Sequence, residues 1–153
     1  MKMNKILALL MAICLFVTLL SGCDKNKKEK IIDIIRDAET VIVKGIKTDT
    51  VEAALGAFEG KQGDYIEFRF DEPQTFNTVF ITEKTATIRQ YNIYAEIDGK
   101  ATLIHTGKHI LNENISVDET TASAIKIEVV NTEIGNDHFV IQGVSAYNIP
   151  KGE

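Results

Sequence analysis

Tyr65-Ile66-Glu67-Phe68-Arg69-Phe70-Asp71-Glu72-Pro73-Gln74-Thr75-Phe76-Asn77-Thr78-Val79 is the stretch that decides how this chain folds. Ile66, Phe68 and Phe70 alternate with Glu67 and Arg69, and an apolar period of two places one side of an extended strand in a core. Glu72-Pro73 then reads as the end of that strand, because proline has no amide hydrogen to give to a ladder. Thr75 to Thr82 follows as a second strand.

The same period continues toward the carboxyl end. Ile88 to Ile97 carries Tyr91, Ile93, Ala95 and Ile97 on one face, with Asn92, Tyr94 and Glu96 on the other. Asp98-Gly99 is a hairpin signal, since both central residues of a type I′ turn need positive φ. Ala101 to Thr106, Ser123 to Asn131 and Phe139 to Asn148 repeat the pattern, with Ile125, Ile127 and Val129 facing inward. Short strands separated by turns predict an antiparallel sandwich or barrel.

Toward the amino end the pattern changes. From Glu29 to Glu39, Ile31, Ile32, Ile34 and Ile35 cluster at helical spacing, which predicts a short amphipathic helix. Thr40 to Ile46 reads as a first strand stopped by Gly45, and Thr50 caps a helical turn through Val51, Ala54, Leu55 and Phe58 that ends at Gly60. Before these lies a leader. Lys2 and Lys5 precede an apolar run from Ile6 to Leu20, too short for a comfortable membrane span, which ends in Leu20-Ser21-Gly22-Cys23. That order resembles the bacterial lipobox, in which the cysteine thiol receives diacylglycerol and the bond before it is cut. The expectation is a lipoprotein signal at 1–22, a lipidated polar tether at 23–30 and one folded domain at 31–153.

Composition narrows the function. Without Lys2 and Lys5 the mature chain holds 15 basic and 22 acidic residues, a net charge of −7, and no basic stripe suited to releasing phosphate counterions, so nucleic acid is set aside. Cys14 lies in the leader and Cys23 takes the lipid, which leaves no thiol for a disulfide, a metal or catalysis. No Gly-x-Ser-x-Gly, His-Glu-x-x-His or phosphate-cradling glycine loop occurs, so the chain is not expected to be an enzyme. His105 and His109 are separated by Gly107, and no recognised pattern joins them to a third ligand such as Glu113.

The order of these segments is familiar. Tyr65 to Val79, then Ile81-Thr82-Glu83, Ile88-Arg89-Gln90-Tyr91-Asn92-Ile93-Tyr94, Asp98-Gly99-Lys100, Ala124-Ile125-Lys126-Ile127 and Val140-Ile141-Gln142-Gly143-Val144-Ser145-Ala146-Tyr147-Asn148 resemble discoidin domains, also called coagulation factor 5/8 type C domains. The likeness runs from about Val41 to Asn148 and is nearest to the versions in fucosidases and family 32 carbohydrate-binding modules. It implies an all-β, galactose-binding-like jelly-roll sandwich of about eight antiparallel strands whose loops at one end bind sugars or, in animal relatives, phospholipids. The family's early aspartate-glycine-threonine-tryptophan stretch, which helps form a calcium site, is replaced by Glu59-Gly60-Lys61-Gln62-Gly63. Calcium is therefore not expected, and no cofactor is. The chain has no tryptophan, and Lys126 stands where the family has an arginine.

Sugar recognition needs an apolar face for the ring and polar groups for its hydroxyls. Two collections qualify. Asn136, Asp137 and His138 precede Phe139; alternatively, these polar residues simply turn around Gly135 while Phe139 begins the last strand inside the core. Glu83 and Arg89, with Lys84, flank the hairpin from Thr82 to Ile88, where an exposed ion pair explains them equally well. The leading expectation is a non-enzymatic carbohydrate-binding module, lipid-anchored at the cell membrane and facing outside the cytoplasm. The alternative is a protein-interaction or scaffold domain of an envelope complex.

Overall fold

Alternating apolar positions form strands with one face turned into a core. The computed structural model describes residues 30–44, 46–48, 57–110, 112 and 114–150. The described residues form eight strands, β1 (Thr40–Val43), β2 (Ile46–Thr48), β3 (Phe58–Lys61), β4 (Tyr65–Glu83), β5 (Ile88–Ile97), β6 (Lys100–Gly107), β7 (Asn114–Thr132) and β8 (His138–Tyr147), plus one 3-10 turn, Ile34–Asp37. All the pairings are antiparallel.

β4 and β7 are each 19 residues long and belong to two layers. Before Arg69, β4 lies between β1 and β7; beyond Thr78 it lies between β7 and β8. One layer thus has the order β2-β1-β4-β7-β5-β6, while β8 and then β3 extend the other from β4. Ile66, Phe68, Ile93 and Ile127 of the first layer share one core with Val79, Ile81, Phe139 and Ala146 of the second. The expected jelly-roll sandwich is what forms. Asp98 (φ 51°) and Gly99 (φ 74°) make the tight hairpin between β5 and β6.

Ile127 is fully buried, as is Ile93, with which it pairs across the β5–β7 ladder. Replacing Ile127 with Ala is expected to cost about 2 to 5 kcal/mol through lost transfer energy and a residual cavity. Chemical denaturation measures it, and a cost under about 1 kcal/mol, typical of surface sites, would mean the strand faces are reversed.

Three local expectations are corrected. Glu72-Pro73 does not end a strand: β4 runs through it, and the β4–β7 register slips between Arg69 and Gln74. Asp71, Glu72 and Pro73 are exposed there, so the missing proline donor removes no ladder bond and the slip lets both long strands bend. The helix expected over Glu29 to Glu39 contracts to Ile34–Asp37. Asp33 Oδ1 accepts from Ile35 N at 3.2 Å and from Ala146 N at 3.0 Å, and Glu39 N donates to Arg69 O at 3.0 Å. The Asp33 side chain thus caps the turn and ties its start to β8, while a backbone bond to β4 takes the chain out of it at Glu39, and the segment is too short to be helical on its own. Ile34 and Ile35 are buried, whereas Ile31 and Ile32 are 52% and 56% exposed. The first strand ends at Val43, and Ile46 belongs to β2 after a turn at Lys44 (φ 53°). Most of the helical turn expected after Thr50 lies outside the described residues; Phe58, its last apolar position, is a strand residue paired with Ile141.

Candidate functional site

Three connections meet at one end of the sandwich because the bent strands return both layers to it. The turn at 62–64 follows β3, the loop at 84–87 joins β4 to β5, and the loop at 133–137 joins β7 to β8. Backbone bonds tie them together. Gln62 N donates to Asp137 O at 3.2 Å, Gly63 N to Val129 O at 2.7 Å, Lys84 N to Val140 O at 2.9 Å and Glu133 N to Thr87 O at 2.8 Å.

The 133–137 loop is a turn closed by Asn136 N donating to Glu133 O at 2.9 Å, with Gly135 at φ 85°, a position that favours glycine. Asn136 Oδ1 accepts from His138 N at 3.2 Å. This turn, Gln62 and Asn131 line a cleft of about 450 Å³. Ile134 stands on it fully exposed, at 102% of its reference area. The cleft's charges are matched at close range: Arg89 Nη2 meets Glu133 Oε1 at 2.9 Å, and Asp137 faces Lys61 Nζ at 3.9 Å and His138 Nε2 at 3.4 Å. By contrast, the side-chain amide nitrogens of Gln62, Asn131 and Asn136 donate to no described residue. The arrangement offers three amide donors beside an uncovered apolar side chain.

Of the residues singled out from sequence, Asn136 and Asp137 line this cleft and His138 stands at its edge, pairing with Asp137. Arg89 reaches it through Glu133 and also donates to Ala86 O at 2.8 Å. Glu83 is buried beneath the neighbouring loop. Its Oε1 accepts from Thr87 N at 2.6 Å, Ile88 N at 3.0 Å and the hydroxyls of Thr85 and Thr87 at 3.1 Å each. The carboxylate therefore shapes the 84–87 loop from inside, and the Thr87 hydroxyl carries the connection on to His138 O at 2.9 Å. Phe139 is fully buried, edge-on to Phe58 with ring centroids 5.4 Å apart. Gln62 had no signal in its local sequence, since only the β3–β8 pairing brings it here. Ile134 did have one, as a lone apolar residue in a polar turn.

No family model matches the sequence, and no curated protein matches it. Solved structures do. The family 32 carbohydrate-binding module of Streptococcus pneumoniae EndoD superposes with a TM-score of 0.61 at 15% identity, over 77% of this chain and 100% of that one. CBM32 of AlyQ, solved in complex with 4,5-unsaturated mannuronic acid, gives 0.59 at 21% identity, over 74% of this chain and 97% of that one. SpGH29 gives 0.64 at 15% identity over 78% of this chain, which spans only 28% of that protein. The fold is that of the discoidin-like, galactose-binding-like sandwich.

Elsewhere on this discoidin-like sandwich, titratable groups serve the sheet. Lys126 Nζ lies 4.8 and 4.9 Å from the ring centroids of Tyr65 and Tyr94. Burial disfavours the charge on Arg69, but Glu67 and Glu96 beside it outweigh that effect and raise its pKa. His105 lies 5.8 Å from the Tyr91 ring, and burial lowers its pKa. Among the described residues no three potential ligands gather for a metal; Glu113 lies outside them.

Proposed function

We propose that this chain is a non-catalytic carbohydrate-binding module, held at the outer side of the cell membrane by lipid on Cys23. The observation that carries the reading is the fully exposed Ile134 beside three amide donors that no described residue engages, in a cleft of sugar size. An apolar side chain covers the apolar face of a pyranose while amides meet its hydroxyls. The cleft's carboxylates already face cations, which favours an uncharged sugar over a strongly charged one. Solved structures of the same fold support it, among them the family 32 module of C. perfringens NanJ in complex with galactose.

Calorimetry against galactose-, fucose- and N-acetylhexosamine-containing glycans tests this. Ile134→Ser and Asn136→Ala should each weaken binding by about five- to tenfold, equivalent to roughly 1 to 1.4 kcal/mol, while stability stays within about 0.5 kcal/mol. Absence of binding across a broad panel would end the carbohydrate reading. Leu103, 52% exposed on edge strand β6, is the observation that favours a protein partner. Material captured from solubilised membranes should elute with free glycan in the first case and not in the second.

A further inference from the structure

The chain enters the domain far from the cleft. β8 begins at His138, paired with Lys61 beside the cleft, and ends at Tyr147, paired with Thr78. Asp33 is bonded to Ala146 near that second end, and Asn77 holds Ile149 by two bonds of 2.7 and 3.0 Å. About 26 Å of strand, at about 3.3 Å per residue, separates His138 from Ala146. The amino-terminal segment therefore leaves the sandwich at the end opposite the loops.

Immediately before Asp33 stand Ile31 and Ile32, both more than half exposed. Adjacent isoleucines left in water beside a folded core are unusual enough to ask what covers them. They follow Asp24-Lys25-Asn26-Lys27-Lys28-Glu29-Lys30, four lysines against two acids. If Cys23 carries lipid, the eight residues from it to Ile31 span at most about 28 Å when fully extended. That is too short for the pair to escape the neighbourhood of the bilayer.

We infer that Lys30, Ile31 and Ile32 form a membrane contact, with the isoleucines in the interfacial region and Lys30 among anionic head groups, and that the contact holds the cleft facing away from the bilayer. This rests on the lipid-anchor reading. Apolar side chains next to a basic run are what an anionic lipid surface accepts. Asp71, Glu72, Asp118 and Glu119, all exposed around the bend of β4 and β7, are repelled by the same head groups. The contact accordingly stops at Ile32, and the sandwich stands above it. The anchor thereby gains a direction: the cleft points outward, where envelope glycans are reached without crossing the anchored surface.

The absence of tryptophan from the chain makes the test direct. The full lipidated chain, as Ile32→Trp and separately as Ile134→Trp, is reconstituted in vesicles of equal parts phosphatidylcholine and phosphatidylglycerol with brominated acyl chains. Both positions are exposed, so neither substitution threatens folding. Tryptophan at 32 should shift to the blue and lose most of its emission, while tryptophan at 134 keeps its own. Vesicle-bound protein with position 32 unquenched would overturn the contact and leave the isoleucines to a protein partner. Quenching at position 134 would overturn the orientation. Failure of the unsubstituted chain to sediment with vesicles would instead show that the anchor reading itself is wrong, taking the inference with it.

Discussion

Phe139→Ala is expected to remove about 3 to 5 kcal/mol of stability from the chain that begins at Asp24. The ring is fully buried, meets Phe58 edge-on with an interplanar angle of 72°, and lies over Gly60 so closely that a Cβ there would come within 2.3 Å of its Cζ. Nothing smaller fills that space, and the glycine beneath cannot rise to close it. In urea, where the slope for small domains is about 1 to 3 kcal/mol per molar, the midpoint should fall by about 1 M or more. The experiment also discriminates between two readings of the Asn136 to Phe139 segment. A sugar-stacking ring would lose affinity at nearly constant stability. A cost below about 1 kcal/mol would put the Phe139 ring outside the core and return it to the binding surface.

Cys23→Ser is expected to give the largest change in location, release from membranes or accumulation of an uncut precursor. The thiol is the acceptor for diacylglycerol in the lipobox reading, and several acyl chains at about 0.8 kcal/mol per buried methylene supply far more attachment than Ile31 and Ile32 do alone. Among the described residues no helix is long and apolar enough to cross a membrane. Fractionation and mass spectrometry of the amino terminus decide the matter: substituted protein that stays membrane-bound with a normal mature terminus would refute lipidation.

The strand faces were legible because their cause is local. Ile66, Phe68 and Phe70, then Tyr91, Ile93 and Ala95, then Ile125, Ile127 and Val129 alternate with polar neighbours, and side chains of a strand point to alternate faces whatever it pairs with. Asp98-Gly99 was legible for the same reason, since positive φ is a property of those residues. Where local preference met a tertiary competitor, the competitor prevailed. The isoleucines from Ile31 to Ile35 have helical spacing, yet Asp33 bonds to Ala146 and Glu39 to Arg69, so one 3-10 turn remains. Pro73 looked like a terminator until the register slip between Arg69 and Gln74 removed the need for its missing donor.

For the candidate site the division is sharper. The residue types in Asn136-Asp137-His138 drew attention by chemistry alone, and the amino-terminal Leu-Ser-Gly-Cys order needed no fold to be read. Gln62, Asn131 and Ile134 line one cleft only because β4 and β7 bend and the β3–β8 pairing sets the 62–64 turn against the 133–137 loop. Glu83 shows the converse: a carboxylate that sequence offers as a ligand contact folds inward, because the buried amides of Thr87 and Ile88 need an acceptor. Which face of each strand is apolar is settled between neighbours in the chain. Which polar groups are left free at one end is settled by pairings between distant segments, and a carboxylate cannot be known as ligand contact or loop support until those pairings have claimed the backbone around it.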